Sequence, residues 1–284
     1  MSAWLGSVLG WLVGRLFAVR RVHVVASMRR AGVADVERAA NAMYASLGRG
    51  LCELLWAGLR PRRGLEARVV LDDAVAQRVA GLAANGAVIA TAHTGNWDLL
   101  ACATAARFPL TVVTKKLSVR ALNRLWQSLR ARRGIRLVGA GAAAREGLRS
   151  LGRGELVAMM IDQAPERVRG TVVTEFLGRP ARVDLAPALL ALRARVPLIT
   201  VFSHRLPDGR VAIELASVHL PPRRASRRWA ERGMIEATRA LAAFVAEHPE
   251  QWLWMHRRWK DAPPDNEAVV LRSTADERSA PHAA

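Results

Sequence analysis

The chain has 284 residues, 51% of them hydrophobic and 24% charged, which is enough for one sizeable α/β domain. Its two cysteines, Cys52 and Cys102, are 50 positions apart in apolar, helical surroundings, and no Cys/His cluster has metal-ligand spacing, so a disulfide framework and a structural metal are excluded. The net charge is +19 with only three lysines among 43 basic residues, and a 261–284 tail with five acids and two arginines leaves +22 on residues 1–260. Such a body wants anionic company: an acidic protein or an anionic membrane surface. Nucleic acid is a poor fit, because the aromatics form no stacking set beside the arginines and no nucleic-acid-binding module is visible.

In chain order, Ala3 to Val19 is apolar except for Arg15 and Ser7 and is stopped by Arg20-Arg21. About 17 residues is the short limit for crossing a bilayer, and Trp4 and Trp11 suit an interfacial level. Residues 1–20 are therefore expected to form an uncleaved membrane anchor helix that crosses once or lies in the interface. Val33 to Leu59 repeats apolar residues near 3.6 and is closed by Arg60-Pro61. Strands follow at 68–71, 87–92, 110–114, 135–138 and 156–161. Helices are expected at 73–84, 97–106, 118–132 (capped by Ser118) and 142–151. Val172 to Phe176 reads as an edge strand, 184–193 as a helix, and Asp208-Gly209 as the turn joining strands 198–203 and 211–215. A last long helix covers 229–247. The alternation implies an α/β fold, a mostly parallel central sheet flanked by helices with an antiparallel hairpin at one edge. Residues 21–260 form this domain, and 261–284, lacking apolar periodicity, a disordered acidic tail.

The chemistry concentrates at His93-Thr94-Gly95-Asn96-Trp97-Asp98, directly behind the apolar strand Ala87 to Ala92. Gly95-Asn96 breaks the strand, and Asn96 is a good N-cap for a helix starting at Trp97. His93 then stands at the C-terminal end of a strand, where open α/β sheets bind ligands. Asp98 sits in the first helical turn, where the dipole favours a carboxylate by roughly 0.3–1 kcal/mol. If the chain turns so that Asp98 meets one ring nitrogen, the other is free to take a proton from a hydroxyl. Asp162-Gln163 ends a second apolar strand at the same topological level, and a buried acid there should meet an arginine or backbone donors. Arginines crowd 120–136, and their planar forks suit phosphate oxygens.

The run His93 to Leu99 resembles the HxxxxD/E signature of the lipid A biosynthesis (late, secondary) acyltransferases, close to H-[FWT]-G-N-W-[ED]. The hydrophobic N-terminus, Asn123-Arg124 with Arg130 to Val138, Gly154 to Gln163, and Trp252 to Trp259 fit the same family in the same order. The resemblance covers about residues 1–260. It implies a glycerolipid acyltransferase-like fold and a membrane-bound enzyme on the cytoplasmic side of a bacterial inner membrane. That enzyme would move a fatty acyl chain from an acyl thioester, on acyl carrier protein or coenzyme A, to a hydroxyl of a lipid A precursor. An acidic carrier agrees with the +22 body. Catalysis would fall to His93 and Asp98, and substrate binding to Gly95, Asn96, Arg130, Arg132, Asp162 and Gln163. No metal or further cofactor is required. Glycerolipid enzymes show a proline-glutamate-glycine pattern where this chain has Asp162-Gln163, which argues against a plain glycerol-phosphate acyltransferase. Two rivals stand beside this: acylation of a phosphatidylinositol mannoside or another lysolipid, and a non-catalytic basic membrane-binding relative. The intact His93/Asp98 pair speaks against the latter. The resemblance implies that the Trp252 to Trp259 block packs on the domain and lines its lipid side, while the residues alone fit equally a tryptophan cluster that closes the core; His256 is given no catalytic part.

Overall fold

The computed structural model describes residues 3–59, 64–115, 119–224 and 226–260. The Arg60-Pro61 stop, the Ser118 cap and the 261–284 tail lie outside them. Five parallel strands build most of the sheet: β2 (Ala87–Thr91), β3 (Leu110–Thr114), β4 (Ile135–Gly139), β5 (Leu156–Met160) and β8 (Leu198–Arg205). β9 (Val211–His219) returns antiparallel to β8, and the two-residue β1 (Val69–Val70) lies outside β9 and parallel to it. The order is β1-β9-β8-β2-β5-β3-β4. The expected antiparallel hairpin is therefore present but sits one place in from the edge.

β2 is buried at all five positions, as an apolar strand covered on both faces should be. Its alternation divides the core: Val88, Ala90 and Ala92 join one apolar cluster, while Ala87 and Ile89 join the other. The first cluster includes α8 (Ala186–Ala194), α9 (Arg227–Glu247) and the Trp252 and Trp254 rings. The second includes α5 (Trp97–Arg107) and Leu129 of α6 (Arg120–Arg132). α4 (Asp73–Leu82) and α7 (Ala143–Leu151) complete the crossovers.

Thr171–Phe176 (β6) is not an edge strand of this sheet. It forms a separate antiparallel ribbon with Arg179–Asp184 (β7). The turn is Leu177-Gly178, both with positive φ (51° and 75°), which is the backbone of a tight hairpin without its usual Asn or Asp. That missing signal hid β7.

The N-terminus departs most from expectation. Ala3–Trp11 (α1) continues into a π-helical turn at Leu12–Leu16, and the chain then turns into α2 (Arg21–Arg30). No described helix is long and apolar enough to cross a membrane. α1 instead lies on α3 (Val36–Leu59) through Gly6, Gly10 and Gly14. A Cβ at Gly10 would stand 2.1 Å from the Tyr44 carbonyl oxygen, and one at Gly48 of α3 would stand 2.1 Å from the Gly6 carbonyl oxygen. Backbone meets backbone there, so even a methyl group is too large. Trp4, Leu5, Trp11, Leu16 and Phe17 remain exposed. Gly10→Leu should therefore lift α1 off α3 and speed trypsin cleavage after Arg15 and Arg20, whose side chains are already exposed but whose backbone that packing holds. Limited proteolysis of the intact chain checks this, and an unchanged cleavage rate would contradict the packing.

Candidate active site

Two neighbouring strands deliver the central pair. β2 and β5 run parallel with Thr91 opposite Met160, and the Ile161 amide donates to the Thr91 carbonyl at 2.8 Å. Two residues past each strand end stand His93 and Asp162. His93 Nδ1 lies 3.0 and 3.1 Å from the two Asp162 carboxylate oxygens, and the His93 backbone N–H donates to Oδ2 at 3.1 Å. The indole N–H of Trp252 donates to the same oxygen at 3.0 Å.

Asp162 is fully buried. Burial alone would push its carboxyl up, but the facing His93 ring, its hydrogen bonds and the nearby His256 outweigh that and hold it well below the usual carboxylate range. An ionised carboxylate only accepts, so Nδ1 of His93 carries a proton, and in the neutral ring Nε2 presents the lone pair. The His93 side chain keeps 15% of its surface open. One edge of the imidazole is thus anchored and the other is left to work.

This corrects the expectation for Asp98, which does not meet His93. Its carboxylate receives Arg130 Nε at 2.7 Å, with both side chains largely buried. Asp98 enters on the first turn of α5, and Arg130, stacked over the Trp126 ring at 5.1 Å, comes across from α6 to neutralise it. The histidine and the aspartate of the motif are therefore wired to different partners. Arg132, singled out beside Arg130, is exposed and has no partner in the site among the described residues. The helix turns Arg133 inward in its place, 4% exposed and beside Cys102.

The motif loop is fixed at nearly every residue. Thr94 is fully buried, exchanging hydrogen bonds with Ser203 at the end of β8 (3.2 and 2.9 Å). Gly95 has φ +51° and passes so close to β8 that a Cβ would sit 2.3 Å from the Ser203 carbonyl oxygen. Glycine is required there for both reasons. Asn96 caps α5 by accepting from the Leu99 amide at 3.0 Å, while its Nδ2 donates to Glu53 at 2.6 Å. Glu53 in turn takes both terminal nitrogens of Arg205, at 2.8 and 2.7 Å. Gly95 and Asn96 thus shape the loop. Gln163 offers its carbonyl to the buried Arg258 at 3.5 Å.

Three participants were not assigned from sequence. Trp252 was expected to line the lipid side or to close the core; it is buried, and it also holds Asp162. His256 stacks at an angle on His93, ring centroids 4.6 Å apart, and its Nε2 is buried without a partner in the described structure. Burial first, then the neighbouring His93, pulls its pKa down to about 4, so it is neutral near pH 7. Glu53 carried no signal, since its partners Asn96 and Arg205 lie 43 and 152 residues away. Only the Trp/Arg run around Trp252 was visible beforehand.

Chemically, a histidine whose Nδ1–H is held by a buried carboxylate suits general-base removal of a hydroxyl proton. His93, Asp162 and His256 also place three ligand atoms within 4.8 Å of one another. The carboxylate is committed to three donors, which favours the acid/base reading over metal ligation.

A model of the bacterial lipid A biosynthesis acyltransferases matches residues 27–261 of the chain. No curated protein sequence matches it.

The Asp98–Arg130 assignment is separately testable. Removing one member of a buried pair costs about 3–5 kcal/mol because the other charge is stranded. Asp98→Ala should lower the unfolding free energy from urea titration by that order, and the double change Asp98→Leu/Arg130→Met should recover most of it. Equal stability of Asp98→Ala and the parent chain would contradict the pair.

Proposed function

Because the chain belongs to the bacterial lipid A biosynthesis acyltransferase family, we propose that it moves a fatty acyl group from a thioester donor to a hydroxyl of a lipid A precursor, with His93 as base and Asp162 as its orienting acid. The observation that carries this is the ring of donors around one buried carboxylate, with His93 Nδ1 among them at 3.0 Å. The acceptor hydroxyl gives its proton to His93 Nε2 as its oxygen bonds to the thioester carbonyl carbon. The tetrahedral adduct collapses, the carbon–sulfur bond breaks, and the imidazolium returns the proton to the thiolate. The products are an ester and a free thiol. During the step Asp162 stabilises the imidazolium by charge and never takes the proton itself.

The donor is a carrier-bound acyl thioester, on acyl carrier protein or coenzyme A. An acidic carrier complements a body with an excess of 19 positive charges over the whole chain. The acceptor arrives from the membrane, and the exposed Trp4, Leu5, Trp11, Leu16 and Phe17 around α1 supply an apolar surface to rest on it. With α1 bound to α3 through its glycines, the face opposite those glycines is the one left for lipid. The protein is then seated in the interface on the cytoplasmic leaflet of an inner membrane.

The test joins lipid analysis to variants. Mass spectrometry of total lipids with and without the gene should show one added acyl group on lipid A. An added chain on a phospholipid instead would favour the lysolipid or phosphatidylinositol mannoside reading. In a purified assay His93→Ala should lower the rate by about 10²–10⁴-fold. Asp162→Asn should lower the maximal rate severely while changing acceptor KM little. Retention of more than about a tenth of the rate in His93→Ala, below even the weak end of general-base effects, would remove His93 as the base.

A further inference from the structure

A cavity of about 280 Å³ opens between α1, α3 and the β8–β9 turn, and neither His93 nor Asp162 lines it. Four arginines face it, Arg49, Arg68, Arg205 and Arg210, against two carboxylates, Glu53 and Asp208. Both carboxylates are already taken. Glu53 holds Arg205 in the bidentate pair described above, and Asp208 holds Arg210 at 2.6 Å. Arg49 has only the Ser7 hydroxyl, at 2.8 Å, and Arg68 only the face of Trp56, at 5.0 Å. Neither is paired with a carboxylate among the described residues. Among the described residues, two guanidiniums without a carboxylate partner thus line one small cavity.

We propose that this cavity binds the phosphate monoester of a lipid headgroup. A monoester carries roughly −1.5 to −2 charges at pH 7, the complement of two free guanidiniums whose planar forks match phosphate oxygens. Ligand cavities commonly measure about 300–1,000 Å³, so this one takes a headgroup and leaves the acyl chains outside. One wall is Gly6 of α1, next to the exposed Trp4 and Leu5, which puts the opening beside the apolar surface. Two other lining residues, Arg205 and Glu53, connect the cavity to the His93 loop through Asn96, the N-cap of α5. A phosphate bound here is sensed one residue-contact away from the His93 loop. The proposal rests on the lipid-acylating reading only for the source of the phosphate; the cavity's charge stands without it.

Cys52 lines the same cavity and reports its occupancy. The only other cysteine, Cys102, is buried and its thiol is pushed up to about 12 mainly by that burial, so alkylation reads Cys52. The experiment follows iodoacetamide labelling of the full chain by mass spectrometry and needs no turnover. Its failure is thereby distinguishable from failure of the acyltransferase reading. At about ten times Kd, inorganic phosphate should slow labelling by about tenfold. Phosphatidylcholine vesicles containing phosphatidic acid should protect likewise, and vesicles of matched charge containing the diester phosphatidylglycerol should protect far less. Arg49→Gln and Arg68→Gln should each abolish protection by phosphate while leaving unliganded labelling at the parent rate. The proposal is overturned if neither phosphate nor phosphatidic acid protects, or if protection survives both substitutions. Equal protection by the two anionic vesicles overturns it as well, since that is mere coverage by membrane. Protection by free phosphate without phosphatidic acid overturns the lipid source.

Discussion

The buried carboxylate of Asp162 is the constraint around which the site is arranged. A fully buried charge is costly unless it is paired and hydrogen-bonded. Here it collects three donors, the His93 ring, the His93 backbone N–H and the Trp252 indole, from two separate parts of the chain. Satisfying it therefore pulls together the ends of β2 and β5 and the segment after α9. The Leu253 amide donates to the His93 carbonyl at 3.0 Å, and Thr94 bridges to Trp252, so this segment is stitched to the motif as if it were an added strand. Trp252 is thus part of what holds His93 and Asp162 in place.

Around that centre, charge is settled pairwise. Asp98 is closed off by Arg130, and Glu53 by Arg205 and Asn96. Each pair ties the helix that starts at Asn96 to a different neighbour, α6 on one side and α3 with β8 on the other. The loop His93 to Asn96 cannot shift without breaking one of them. With His93 as the proposed base, such fixation is the preorganisation its free nitrogen needs.

Much of the fold was legible because its signals are local. β2 reads as a strand since it is apolar at every position, Asn96 reads as a cap since its side chain reaches its own helix, and Asp208-Gly209 reads as a turn. Asp162 was placed at the end of its own apolar strand, at the same topological level as His93, with the demand that an arginine or backbone donors neutralise it. What sequence spacing did not reveal was the choice of partner. Asp98 is five residues from His93 and Asp162 is 69, yet parallel neighbouring strands bring the distant one closer. The helix geometry of α5 carries the near one away to Arg130. Likewise the apolar N-terminus reads as an anchor by composition, whereas the spacing of Gly6, Gly10 and Gly14 is what seats it against α3. Neighbour identity in the sheet, β2 beside β5, is a long-range fact that no local pattern contains.

The central claim is that Asp162, and not Asp98, fixes the proton on His93 Nδ1. Nitrogen-15 NMR of the histidine-labelled, full-length protein near neutral pH reads that proton directly. His93 should show a protonated Nδ1 and an unprotonated Nε2 in the parent chain and in any folded Asp98 variant, and should lose that preference in Asp162→Asn. A His93 signal protonated at Nε2 in the parent chain, or one that changes with Asp98 and ignores Asp162, would contradict the account.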